Sequence, residues 1–222
     1  MKRGDASEAA PLVDRMLARL LSFVPAKGHA GSNARTVIGD TRANAYKLLS
    51  DDAMGPPLDD CFDQARQAGI TWQQLEDVRQ QTAQEAPLSL GAKLIQNAGI
   101  RLCLATEAYI IAGMTFISRQ QVDAMKTALL QPFVDAEEIA ADDMDQMTFQ
   151  SLITLHGALT NHLVQTAMPL PRMLNYQFFT PLPTLVMAYK LYQDASRADE
   201  LRDENKIVHP AFCPMLGEAL SG

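Results

Sequence analysis

Between Pro87 and Pro169 apolar residues recur at steps of three and four, and that period commits the chain to helices before composition is considered. Leu94, Ala98, Leu102, Ala105, Tyr109, Ala112 and Phe116 form the longest run. They predict a helix about 40 Å long with that stripe against the core. Ser118-x-x-Gln121 has the form of a capping box. It opens a second helix with Val122, Met125, Leu129, Phe133, Ala136 and Ala140 on one face, kinked or broken at Pro132. An acidic stretch (Asp135, Glu137, Glu138, Asp142, Asp143, Asp145) separates it from a third helix carrying Phe149, Leu152, His156, Leu159 and Leu163. The predicted architecture for residues 87–170 is a long antiparallel helical hairpin extended to a small bundle.

Residues 1–86 read as shorter helices and loops. Ser7 is the expected cap of a first helix with Leu12, Met16, Leu20 and Phe23 on its apolar face. Residues 26–40 are rich in Gly, Ser and Asn and have no period, which predicts a loop. Helices over Thr41–Leu49 and, after the Gly55-Pro56-Pro57 breaker, Leu58–Gln67 precede a third, opened by a Thr71-x-x-Gln74 capping box. Residues 171–222 differ again. RMLNYQFFT, bounded by prolines, predicts an extended aromatic connector. A short helix with Leu185, Met187 or Ala188, and Leu191 follows, then a turn at Gln193-Asp194, a helix over Arg197–Glu204 capped by Ser196, and an extended tail. Leu185, Leu191, Leu201 and Ile207 are the expected internal residues of this unit. The fold class is therefore mainly α, with a small C-terminal helix-turn-helix module and little β.

Composition narrows function. A 222-residue chain with 47% hydrophobic and 20% charged residues is globular, with a core of its own. The net charge of −7 is spread over both halves, so no basic face exists to hold phosphates, and nucleic acid is an unexpected partner. Cys61, Cys103 and Cys213 lack metal-ligand spacing and fit buried thiols in a reducing compartment. The first 25 residues carry charges inside any apolar stretch, and Arg101 and Glu107 interrupt the most apolar window, so neither a signal sequence nor a membrane span is expected.

Catalytic constellations are equally sparse. His156 and His162, six apart on a helix, point to opposite sides and do not make a metal pair. The acidic run lacks the alternating carboxylate and Gly pattern of a Ca²⁺ loop and reads as a solvated helix face or interhelical turn. Neither a nucleophile elbow nor a phosphate-binding Gly-rich loop occurs. No enzymatic activity and no cofactor are expected. The 11 methionines suit irregular cores and adaptable interfaces alike, whereas the aromatic cluster around the connector is the kind of anchor enriched at protein interfaces.

The segment from Pro181 to Met215 carries a dense pattern: Ala188-Tyr189-Lys190-Leu191-Tyr192, Asp194-Ala195, Arg197-Ala198-Asp199-Glu200-Leu201, then Asn205, Ile207, His209-Pro210, Phe212 and Pro214. It resembles the C-terminal end of the Mu-like phage DNA circularisation (circulation) protein family. With the upstream helices, the resemblance covers roughly residues 88–222. The layout of short helix, Tyr-x-Asp turn, second helix and Asn-x-Ile before a final strand is also similar to a LysM-type module. The family usually begins with a β-rich domain, whereas residues 1–86 here read as helices and loops, so that domain is either replaced or supplied by a separate chain.

The resemblance implies a structural virion protein of a contractile phage tail, at the baseplate hub where the tail tube begins. Such a protein is made in the host cytoplasm and acts by assembly. Its implied partners are other baseplate and tail-tube proteins, with the tape-measure protein among the candidates, and its implied oligomer is symmetric, with three or six copies. Tyr176, Phe178, Phe179, Tyr189, Tyr192, Arg197, Asp199 and Phe212 are the interface candidates, with Arg197 and Asp199 the most exposed among them. Two alternatives remain: a protein acting on injected DNA, and a peptidoglycan-binding module.

Overall fold

The computed structural model describes residues 2–221, and they are mainly helical. In chain order the elements are α1 (Arg3–Phe23), α2 (His29–Ala43), α3 (Ala45–Ser50), α4 (Gly55–Gln67), α5 (Trp72–Gln84), α6 (Leu90–Ala112), α7 (Arg119–Asp142), α8 (Gln146–Ala167), β1 (Met173–Gln177), α9 (Thr184–Tyr192), α10 (Ala198–Glu204) and β2 (Leu216–Leu220). No helix among the described residues is long and apolar enough to cross a membrane. The chain forms two compact units. The first takes the residues up to Met114 together with Leu130–Leu159, and the second takes Thr115–Leu129 together with the residues from Thr160 on. The division therefore falls inside α7 and α8, in α7 just ahead of Pro132, whose ring removes the bond to the Ala128 carbonyl.

The first unit is organised around α1. Ala6, Ala9, Val13, Leu17 and Leu20 are completely buried, and their small and branched side chains let neighbouring helices come close. Ion pairs tie the rim of α1 to its neighbours: Arg15 holds Glu85 with two bonds of 2.6 and 2.7 Å, Arg19 reaches Asp77 at 2.6 Å, and Arg42 reaches Asp14 at 2.9 Å. The Thr71 capping box forms as expected. Ser7, the expected cap of α1, instead lies one turn inside it with its hydroxyl donating to the Gly4 carbonyl.

Three further expectations fail for identifiable reasons. Residues 26–40 are not a loop, because most of them belong to α2, whose buried face is Gly31, Ala34, Ile38 and Thr41. That face has helical spacing, but Ile38 is its only large apolar residue, so it escapes a search for apolar period. Gly31 is required there, since a Cβ would run into the Pro25 carbonyl. The Gly55-Pro56-Pro57 breaker opens α4 rather than preceding it, as prolines in a first turn sacrifice no intrahelical bond. On α6 the buried residues are Gly91, Ala92, Gly99, Cys103, Leu104, Thr106, Glu107, Ala108 and Ile111, while Leu94, Ala105, Tyr109 and Ala112 of the expected stripe are exposed. Apolar residues surround α6, so period alone could not choose its face. Gly99, where a Cβ would collide with Met16, seats it on α1, and the Gln96 amide, which donates to the carbonyls of Thr82 (2.8 Å) and Glu85 (2.7 Å), ties it to the end of α5. This also moves the expected boundary at 86/87, because α6 packs on α1 and α5 as part of the first unit.

The expected face of α7 is buried at every position: Val122, Met125, Leu129, Phe133, Ala136 and Ala140. In the second unit β1 and β2 form a two-stranded antiparallel sheet, Met173 opposite Leu220 and Gln177 opposite Leu216, with α9 and α10 between them in sequence. The order is β-α-α-β. Its core is Tyr176, Met187, Leu201, Cys213 and Ala219.

Candidate functional site

The C-terminal unit carries all eight interface candidates, and its small sheet decides where they point. Two bonds flank the ladder, Phe178 N–H to Met215 O and Ser221 N–H to Arg172 O, both 2.7 Å. Hydrogen-bonded and non-bonded pairs alternate in an antiparallel ladder, so Met173, Asn175 and Gln177 on β1 and Leu216, Glu218 and Leu220 on β2 turn their backbone groups outward. Two side-chain amides meet these edges. Gln120 accepts from Met173 N–H (2.7 Å) and donates to Met173 O (3.0 Å). Asn205 accepts from Glu218 N–H (2.8 Å) and donates to the carbonyls of Glu218 (2.7 Å) and Leu201 (2.9 Å). Each stands in for the peptide of a further strand and closes an edge that would otherwise invite another chain.

The helices are fixed by equally local chemistry. Gln193 takes a left-handed conformation (φ 57°) to end α9. Ser196 does not cap α10, whose N-cap is Arg197 with no side-chain capping bond; Asp194 caps the single 3-10 turn Ala195–Arg197 that leads into it, its carboxylate accepting Ser196 N–H at 2.9 Å, and the Ser196 side chain and backbone bonds hold its pKa below the usual range. Arg197 lies 3.8 Å from the centroid of the Tyr192 ring and grips Glu200 with bonds of 3.1 and 2.6 Å.

The candidates therefore divide. Tyr176 is buried, its ring set over Gly217, where a Cβ would collide with it. Phe178, Tyr192 and Arg197 are half-buried and brace the module, Phe178 with Lys190 Nζ 5.8 Å from its ring centroid. Phe179 (95% exposed), Tyr189, Phe212 and Asp199 face solvent. Leu185, expected inside, is 60% exposed, because α9 buries Thr184, Met187 and Ala188 instead. Leu174, Val208, Met215 and Leu216 are exposed apolar residues that sequence reasoning missed. For β2 the missing signal was its partner: Leu216 and Glu218 share one face only once β1 is known to pair there.

Burial raises the pKa of Tyr176, as does its hydroxyl contact with Cys213 Sγ at 3.7 Å, and burial raises that of Cys213, so both stay neutral near pH 7. In the first unit, Arg79 Nε donates to Glu107 Oε1 at 3.1 Å, while Glu107 Oε2 has no hydrogen-bond partner among the described residues. Burial pushes Glu107 up to about 7 against the pull of Arg79. Cys103, completely buried, is raised by burial and by Glu107 beside it. His156 donates or accepts at Nδ1 with Glu137 (2.9 Å) and stacks on Phe133 at 4.8 Å, an internal contact of the hairpin.

The two units differ in surface character. Of the 22 large apolar side chains exposed among the described residues, 12 lie on the second unit, the smaller of the two. That unit carries equal numbers of basic and acidic residues, so the whole net charge of −7 belongs to the first. No protein-family model matches the chain, and no curated protein matches it.

Proposed function

We propose that this chain is a non-enzymatic structural protein of a contractile phage tail, seated at the baseplate hub near the start of the tail tube. The reading is carried by the second unit, which has no net charge and whose β-α-α-β module, internally stapled, displays Phe179, Tyr189, Phe212 and a set of exposed aliphatic residues. Exposed apolar and aromatic side chains on a rigid frame are what a protein interface requires, because ordering costs are already met. The β-α-α-β order also agrees with the LysM-type layout of the resemblance, in which such modules serve as docking units. Partners are other baseplate and tail-tube proteins, with the chain in three or six copies.

Cryo-EM of intact virions from the phage or induced prophage that encodes the chain tests this. Density that it fits at the junction of tube and baseplate is the expected result. Virions that lack the chain, or tails that form normally after its deletion, would overturn the assignment.

A second reading, peptidoglycan binding, is supported by an open groove of about 300 Å³ on the same module, lined by Leu174, Tyr176, Phe178, Leu191 and Tyr192. Co-sedimentation of the purified chain with peptidoglycan sacculi, lost in a Leu174→Glu variant, would favour it over assembly.

A further inference from the structure

The turn between α7 and α8 displays two methionines in a way that neither packing nor backbone geometry accounts for. Met144 N–H donates to Ala141 O and Asp145 N–H to Ala140 O, both at 3.0 Å, which is the paired bonding of a Schellman C-cap. Met144 occupies its left-handed position with φ 55°, where glycine is the usual residue. The other side-chain-bearing residues with positive φ are polar: Asp52, Gln193 and Lys206. Met144 is apolar and 91% exposed, and Met147, in the first turn of α8, is 84% exposed. The turn is held rigidly. Asp145 caps α8 by accepting Thr148 N–H at 3.2 Å, and the Arg101 guanidinium lies 4.0 Å from Asp143 and 3.7 Å from Asp145. The tip is thus a fixed thioether knob rimmed by Asp142, Asp143 and Asp145.

The complementary surface is on the second unit. An open groove of about 460 Å³ has Leu163, Val164 and Met168 on its apolar side and Arg119, Lys126 and Arg172 around it. Arg119 spends its hydrogen bonds on the neutral carbonyls of Leu170 (2.7 Å) and Met168 (2.9 Å). Lys126 meets Asp123 at 3.3 Å, and no carboxylate among the described residues pairs with Arg119 or Arg172. An apolar hollow with a cationic rim is the chemical counterpart of an apolar knob with an anionic rim.

We infer that the hairpin tip of one copy docks into the groove of the next, a head-to-tail contact between copies of this chain. The contact is heterologous: it uses two different surfaces, so it propagates and closes into a ring when the rotation permits. It requires nothing of the phage-tail reading, since a self-assembling chain could serve elsewhere.

Sedimentation velocity and native mass spectrometry of the purified full chain test it. The expected result is an oligomer at low salt that dissociates as salt rises, because rim charges are screened. Met144→Gly with Met147→Ser, and separately Lys126→Glu with Arg172→Glu, each give a monomer. At high salt, where both chains are monomers, the Met144→Gly, Met147→Ser chain melts no lower than the parent, since glycine suits the left-handed position and Met147 is exposed, so its loss of assembly cannot be ascribed to unfolding. Mixing the two variants restores a single competent contact and yields a one-to-one heterodimer that grows no further. A parent chain that stays monomeric at low salt, or an oligomer whose mass neither pair of substitutions changes, overturns the proposal.

Discussion

The first unit hides its apolar residues and spends its charge on the surface, while the smaller second unit hides fewer and is neutral. In the first, long helices meet along faces of Ala, Gly and Leu, and ion pairs such as Arg15–Glu85 sit only at the rim. In the second, the β-α-α-β module has a core cluster of five buried side chains supplemented by hydrogen-bonded staples: Gln120 on Met173, Asn205 on Glu218, Arg197 across Tyr192 and Glu200. The difference teaches how a small unit affords an apolar exterior. Its few buried residues are relieved of specifying the fold alone by polar groups that fix backbone and ring positions.

The buried pair Arg79–Glu107 should give the largest effect, and it is the exception to the first unit's apolar interior. Arg79→Met leaves the Glu107 carboxylate buried without its cation, and a loss of about 3–5 kcal/mol at pH 8 is expected. The loss should shrink at pH 5, where the carboxyl takes up a proton. The parent chain has its own pH dependence at this site. Burial raises Glu107 from 4.5 to about 7 in the folded state, so between those values the folded chain binds more proton than the unfolded one. The Glu107 contribution is therefore complete below about pH 4.5 and is lost as pH climbs through 7. Thermal melting at pH 5 and pH 8, compared between the parent and Glu107→Gln, reads it: the variant should show the smaller fall. An unchanged difference would mean that the pair is charged throughout.

Asn205→Ala comes next, and it sharpens the claim that the second unit relies on staples. The substitution strips the side-chain partner from the N–H and C=O of Glu218, at a cost of about 1–3 kcal/mol, while Leu201 O keeps the backbone N–H of residue 205. Amide exchange at Glu218 should accelerate while exchange along α1 stays slow. Equal acceleration in both units would show that they unfold together and that the distinction between them is only geometric.

How much of this was legible depends on what each element buries. The face of α7 was readable at every position because large apolar residues alternate with polar ones along it. Helix α2 was not, since Gly31, Ala34 and Thr41 pack closely without being hydrophobic. On α6 the failure was the opposite, an excess of apolar residues that left the choice of face to Gly99 and Gln96. Among the interface candidates, Arg197 and Asp199 were expected to be the most exposed; Asp199 faces solvent, but Arg197 is half-buried on the Tyr192 ring, and the burial of Tyr176 depends on Gly217 across the sheet, some forty residues away in sequence. Asn205 could be read as part of a motif, but its work became visible only when β2 came to lie beside it.

The smallest effect on stability should come from the residues most exposed on the second unit, and that smallness is itself informative. Phe179→Ser and Phe212→Ser remove side chains that are mostly in water already, so each should shift the stability of the isolated chain by no more than about 0.5 kcal/mol. Tyr176→Ser, by contrast, opens the core of the same module and should cost about 3–5 kcal/mol. If the exposed rings exist to be covered, tail assembly in a complementation assay should fail with the double Phe179→Ser, Phe212→Ser chain although its melting temperature is unaltered. Infectious particles at the parental titre would instead assign those rings to an unused surface. The contrast between the two units would then reduce to how each builds its core.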